Sequence, residues 1–273
     1  MAFIHYFQGF LNTLSDLPNT LTEPLKGSMI LIMEPMINAA ETKTKYSLST
    51  LMIKAFLAGM FIAFGGLGSQ VINSATCTSF MGAFVFPVGL ILVICTGSEL
   101  FTGDCLMAMA VTDKKISLLS MVKTLILVYI GNFIGSLFVV FLSFGGNMQG
   151  MFEGRLGEAM IKTASTKGSL SPGVSFEKGI LCNILVCAAV LIAIKTKEIT
   201  GKMLAAYFPV MLFVLCGFEH SIANMYFIPM GQLLSGIDIA LLFNNLIPVT
   251  LGNIVGGFIF ALAMYYSNRP EKS

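Results

Sequence analysis

Charge is what this chain most conspicuously lacks. Asp, Glu, Lys and Arg make up 11% of its 273 residues, 56% are hydrophobic, and the mean hydropathy is +0.85. Soluble domains carry about a quarter of their residues as charges, so a soluble globular fold is excluded and an integral membrane protein is left. Histidine is scarcer still. Of His5 and His220, only His220 falls in an apolar run, which is one axial ligand too few for a bis-histidine haem anchor. The six cysteines contain no Cys-x-x-Cys pair and sit mostly in apolar runs. That argues against a disulfide framework or a thiolate metal site and suits small core residues. No charged segment precedes an apolar one at the N-terminus, which argues against a cleaved signal peptide and makes His5 a surface residue. The expectation is a protein that is not an enzyme, with no cofactor, no metal and no nucleic-acid partner.

Six apolar runs occupy roughly 51–72, 83–111, 122–143, 176–194, 203–229 and 245–266. Each is long enough to cross a bilayer core by the rule of about twenty residues. The expected division is an N-terminal segment over 1–45, a six-span domain over 46–267 and a tail over 268–273. Every Lys and Arg falls on one side of these spans except Arg155, Lys162, Lys167 and Lys178. The positive-inside bias then puts both termini in the cytoplasm of a multi-pass protein in the cell inner (plasma) membrane.

One stretch resists a simple spanning helix. Cys216–Gly231 places Glu219 and His220 inside an apolar run, where an ionised group costs about 2.5–3.5 kcal/mol or more. Pro209, Gly217 and Pro229 cut that run into two half-helices. Irregular backbone at membrane depth survives only if buried in protein or lining a wet cavity, so the stretch reads as a pore element.

The chain also repeats itself. Phe86-Pro87-Val88 before Cys95-Thr-Gly-Ser-Glu99 matches Phe208-Pro209-Val210 before Cys216-Gly-Phe-Glu219, and Gly131-Asn132-Phe-Ile-Gly135 matches Gly252-Asn253-Ile-Val-Gly256. Each unit holds three spans, so the second enters the membrane inverted, and such repeats place their site near the midplane at broken helices. The breaks are expected near Gly97–Gly103 and Gly217–Ser221. The fold class is therefore all-α, with six transmembrane helices as two inverted three-helix repeats and broken second and fifth helices.

His220 reads as a proton donor or transient cation on an anion path, the alternative being a neutral ring bonded to backbone at the break. Glu219 reads as an acceptor for free backbone N–H groups of the break, with Glu99 alike by the repeat. Thr102 and Ser221 stand where second half-helices begin. They either cap free amides or join a small-anion site at the positive helix ends. Asn183 and Asn253 either bond His220 or substrate, or tie helices together, as Asn132 does. Phe86, Leu90, Leu100, Phe101 and Phe213 lie beside the breaks, where periodicity alone does not separate gate from core. Lys167, in the outer loop 144–175, either focuses anions at a vestibule or is an ordinary loop lysine.

Gly217-Phe-Glu-His-Ser-Ile-Ala-Asn-Met225, Ile228-Pro-Met230, Asn245-Leu-Ile-Pro-Val-Thr-Leu-Gly-Asn-Ile254 and Glu99-Leu-Phe-Thr102 closely resemble the formate/nitrite transporter family, which includes hydrosulfide channels. The resemblance covers roughly 45–267. It implies an aquaporin-like homopentamer in membrane lipid, each protomer carrying its own pore for a small monovalent anion of a weak acid. The Asn-Pro-Ala boxes of aquaporins are absent, which disfavours water or glycerol. Residue by residue, it implies a central histidine at His220, with Glu219, Thr102, Asn183 and Asn253 around it. It implies a cytoplasmic-side constriction from Leu90 with Phe213, a periplasmic-side one from Phe86, Leu100, Phe101 and Val186, and a vestibule lysine at Lys167. The expected function is passive or proton-linked transport of formate or nitrite. The alternatives are a hydrosulfide channel and an anion-binding sensor without flux.

Overall fold

Serine hydroxyls begin two of the long helices, and left-handed residues stop two of the helices. Ser47 accepts the Thr50 amide and Ser117 that of Ser120, while Cys77 and Gly97 end their helices at positive φ. The computed structural model describes residues 33–78, 80–236 and 238–268, which contain helices and connections but no strand. In chain order the helices are α1 over 33–44, α2 Leu48–Thr76, α3 Gly82–Val85, α4 Val88–Thr96, α5 Phe101–Asp104 and α6 Ala108–Thr112. There follow α7 Leu118–Gly145, α8 Arg155–Gly168, α9 Pro172–Lys195, α10 Ile199–Leu215, α11 Ser221–Ser235 and α12 Ile239–Ser267.

The helices α2, α7, α9 and α12 are each long and apolar enough to cross a membrane. The segments α3–α4 and α5–α6 together make a broken span bent by 60°. Its counterpart is α10 with α11, interrupted over 216–220. These are the expected two inverted units, with both breaks where the repeat puts them.

Within each unit the outer pair packs backbone to backbone. A Cβ on Gly135 of α7 would strike the Phe56 carbonyl of α2, and one on Gly256 of α12 would strike the Ile180 carbonyl of α9. Neither position accepts a side chain without parting the helices. Away from these seams α7 presents Ile126, Ile130, Ile134, Phe138 and Phe141 outward, the apolar coat that lipid or a neighbouring protomer requires.

Three features differ from the sequence reading. The segment 144–175 is not a plain loop but holds α8, a helix with one buried face (Leu156, Met160 and Ala164). A matching helix, α1, precedes α2, with Pro35 tolerated in its first turn. The two helices lie at opposite ends of the bundle, since α1 leads into the start of α2 whereas Arg155 of α8 bonds Cys77 at the far end of it. The cysteines are not uniformly core: Cys105, Cys182 and Cys187 are buried, while Cys77, Cys95 and Cys216 are exposed at helix ends or on the outer face. His5, Arg269 and Lys272 lie outside the described residues.

Candidate functional site

The geometry of both breaks is set by one asparagine each. Asn253 of α12 accepts the Ser221 amide at 2.9 Å and donates to the carbonyls of Gly179 (2.8 Å) and Glu219 (3.0 Å). Asn132 of α7 does the same for the first unit, accepting the Phe101 amide at 3.0 Å and donating to Ala55 (2.7 Å) and Glu99 (3.0 Å). The match extends to the backbone. Glu99 N–H donates to Lys54 and Glu219 N–H to Lys178, each at 3.3 Å. Buried amides and carbonyls freed by the break are thereby satisfied without water.

Held this way, each break ends in an extended residue that starts the next half-helix: Leu100 in the first unit and His220 in the second. His220 is its own cap. Its Nδ1 accepts the Ala223 amide at 3.1 Å, so the neutral ring carries its hydrogen on Nε2, which donates to Thr102 Oγ1 at 2.9 Å. A second proton at Nδ1 would break that cap. Thr102 is fully buried and its hydroxyl retains its own hydrogen to donate. The two positive half-helix ends thus meet at an Nε2–H and an O–H, a constellation that suits a small anion.

Aromatic rings surround the pair. Phe213 stacks on the His220 ring with centroids 5.8 Å apart and meets Phe86 edge-on at 5.8 Å, and Phe86 stacks on Phe227 at 6.3 Å. On the opposite side a cavity of about 370 Å³ is lined by Leu90, Leu100, Glu99, Asp104 and Lys43. The cavity thus brings Leu100 to the same wall as Leu90 rather than setting it apart with Phe86. Phe101 turns onto Tyr129, 4.8 Å between centroids, and Val186 is buried on α9.

Lys167 is no ordinary loop residue. From α8 its Nζ reaches Glu219 Oε1 at 2.8 Å and lies 5.5 Å from the Phe227 ring centre. Glu219 Oε2 takes the Asn224 amide at 2.6 Å and that of Asn245 at 3.4 Å. Glu219 therefore does not serve the backbone N–H groups of the break, because Asn253 has taken that task. Nor does Thr102 or Ser221 cap: His220 fills that role, and Ser221 Oγ has no partner among the described residues. Asn183 donates to the Asn253 carbonyl at 2.6 Å and, like Asn253, does not touch His220.

The sequence reading missed Lys43, Asp104, Asn224 and Asn245. Lys43 on α1 is the counterpart of Lys167 on α8, each four residues before the serine that starts the next long helix. It pairs with Glu99 at 2.6 Å and with Asp104. Burial alone would lower the Lys43 pKa, but the Asp104 and then the Glu99 carboxylate outweigh it and hold it above the usual lysine value. It stays charged at any physiological pH, and the stability it lends is lost only as pH rises above that range. The repeat carried the signal: extended five residues beyond its glutamates and back to the helices before each unit, it reaches all but Asn245.

Two inverted units whose broken helices meet at a buried histidine define a membrane transport protein, and no groups of metal-binding side chains occur among the described residues. The family model "Formate/nitrite transporter" matches residues 31–267, and the chain belongs to that family, whose members are transporters and channels rather than enzymes. It is 38% identical over 250 residues to a probable formate transporter of Methanothermobacter thermautotrophicus, covering 83% of this chain and 91% of that one. Against the formate channel FocA of Haemophilus influenzae it is 38% identical, covering 67% and 71%. A solved pentameric formate channel with formate bound superposes with a TM-score of 0.72 at 32% identity, over 81% of this chain and 96% of that one.

Proposed function

We propose that this protein is a homopentameric channel for formate or nitrite, formate first, with one pore per protomer through the His220–Thr102 pair. The observation that carries the reading is that pair: a hydroxyl and an imidazole hydrogen at the meeting point of two half-helix N-termini, flanked by apolar residues, with a partly buried lysine beyond them on each side. Lys43 and Lys167 draw the anion to the vestibules. Leu90 with Phe213 and Leu100 at one constriction, and Phe86 at the other, strip its water. Crossing such walls as a bare anion is costly, so the anion accepts the hydrogen of the Thr102 hydroxyl, whose oxygen is held by His220 Nε2–H, and traverses with a proton taken from vestibule water. His220 relays that proton only by giving up its Ala223 bond, so its resting role is neutral donor. Phe101 and Val186 support the walls. Asn183, Asn253 and Glu219 shape the path, while the His220 ring hydrogen-bonds Thr102 and Ala223.

Both termini are assigned to the cytoplasm, which makes the Lys43 face the inner one. Residues 46–267 form the transport unit, onto which α1 docks through Lys43. The test is stopped-flow flux of formate, nitrite and hydrosulfide into proteoliposomes with an internal pH dye, for the native chain and His220→Ala. Rapid movement of formate or nitrite with a pH signal, altered in selectivity or proton dependence by the substitution, supports the reading. Movement of hydrosulfide alone reassigns the substrate, and no flux from intact pentamers ends the transport reading.

A further inference from the structure

The two ends of the path are built alike except at one position. At the Lys167 end the ammonium meets one carboxylate, Glu219, whose second oxygen is satisfied by the Asn224 side-chain amide at 2.6 Å. At the Lys43 end the counterpart of Asn224, in the first turn after the break, is Asp104. One ammonium there is shared by Glu99 and Asp104. Asp104 is 2% exposed and Glu99 4%, and both carboxyls reach the same Lys43 ammonium. Asp104 Oδ1 is on Lys43, and its Oδ2 has no donor among the described residues. Exchanging an amide for a carboxylate removed a donor and added an acceptor, and only a proton restores the balance.

The other groups around Asp104 do not supply one. Lys54 lines the same cavity but is engaged at 2.6 Å by the Gly97 carbonyl. Lys202 lines its rim from α10, and α9 offers only Val190, Ala193 and Ile194 to it. Cys105 and Cys187 are buried nearby, with their thiols on the carbonyls of Phe101 and Thr102. Two buried carboxylates do not both stay ionised on one shared ammonium without a large cost.

We propose that Asp104 is a proton-accepting group of the transport path: with Glu99 it holds one exchangeable proton beside Lys43, and that proton sets how readily an anion enters from the Lys43 face. Without the proton, one ammonium faces two carboxylates and the cluster repels an anion. With it, the cluster is neutral and no longer repels an anion. The Lys167 end has Asn224 in that place and no such dependence. This rests on the anion-transport reading above.

The experiment compares right-side-out with everted membrane vesicles, at fixed formate concentration, changing pH on one face at a time. For the native chain, acidifying the Lys43 face raises entry from that face several-fold beyond the effect of acidifying the other. D104N, which copies the opposite end, raises entry at neutral pH several-fold and abolishes that one-sided response, while D104E retains it. Infrared difference spectra of the purified pentamer titrated in detergent show a protonated carboxyl band in the native chain that D104N removes. Equal responses of the two faces, a one-sided response surviving in D104N, or a carboxyl band unchanged by D104N each overturn the proposal. If D104N fails to assemble, the D104E sidedness and the native infrared titration decide it. If the native chain moves no anion, the transport reading has failed, whereas the infrared titration still answers for Asp104.

Discussion

The two halves of this molecule agree in what holds their backbones and disagree in what they show to the path. Asn132 and Asn253 make the same three bonds to equivalent groups, and the glutamates that follow use the same carbonyl of the preceding helix. At the next residue the halves part, Leu100 against His220, and in the first turn beyond they part again, Asp104 against Asn224. A duplicated scaffold is constrained wherever a buried backbone group needs a partner and is free to diverge where side chains meet the cargo.

The largest effects should come from breaking the shared part. Asn253→Ala strands the Ser221 amide and the Glu219 carbonyl, each worth about 1–3 kcal/mol when buried unpaired, and takes a second donor from the Gly179 carbonyl, which keeps its helix bond. Asn132→Ala does the same to the Phe101 amide and the carbonyls of Glu99 and Ala55 in the first half. Both variants should lose most of their folded pentamer, or unfold at markedly lower temperature in detergent, to a similar degree. A large difference between the two in thermal unfolding would show that the latches are alike in geometry only.

Smaller and unequal effects are expected at the charged ends. Glu219→Gln leaves the Lys167 ammonium without its carboxylate, and stranding one partner of a buried pair costs about 3–5 kcal/mol at the upper end. Glu99→Gln costs less, because Asp104 remains on Lys43. Thermal unfolding of both variants side by side measures the asymmetry. Equal losses would mean that Asp104 does not compensate.

Much of this comparison was legible in the sequence, for a physical reason. Glycine–asparagine pairs and Phe-Pro-Val strings mark backbone requirements that a repeat retains, so the breaks and the inverted units could be read directly. Partners were harder. Glu219 was expected to serve backbone amides, but an asparagine thirty-four residues later does so, and the carboxylate turns to Lys167 instead. Spacing alone does not tell which of two nearby acceptors a buried amide takes. Lys43 went unnoticed because its helix is short and only partly apolar, and because its cluster forms with residues some sixty positions away. The capping expectation for Thr102 failed through two residues of register: the extended residue that starts α5 is Leu100, which leaves Thr102 inside the first turn and facing the histidine.

The smallest expected effect on stability is also the sharpest test of the divergent part. The residue equivalent to Thr102 in the second half is Ile222, fully buried and apolar. Thr102→Val therefore makes the two half-helices alike in shape while removing one hydroxyl. It leaves the buried His220 Nε2–H without an acceptor at a cost of about 1–3 kcal/mol, so the pentamer should survive with a lower unfolding temperature. Anion flux should fall far more than stability does, because the hydroxyl supplies the hydrogen that the anion accepts at the meeting point of the half-helices. Thr102→Ser restores the donor and should restore most of the flux. A valine variant that conducts like the native chain would place the anion's route away from this pair, whereas loss in valine and recovery in serine would tie conduction to the hydroxyl that one half carries and the other lacks.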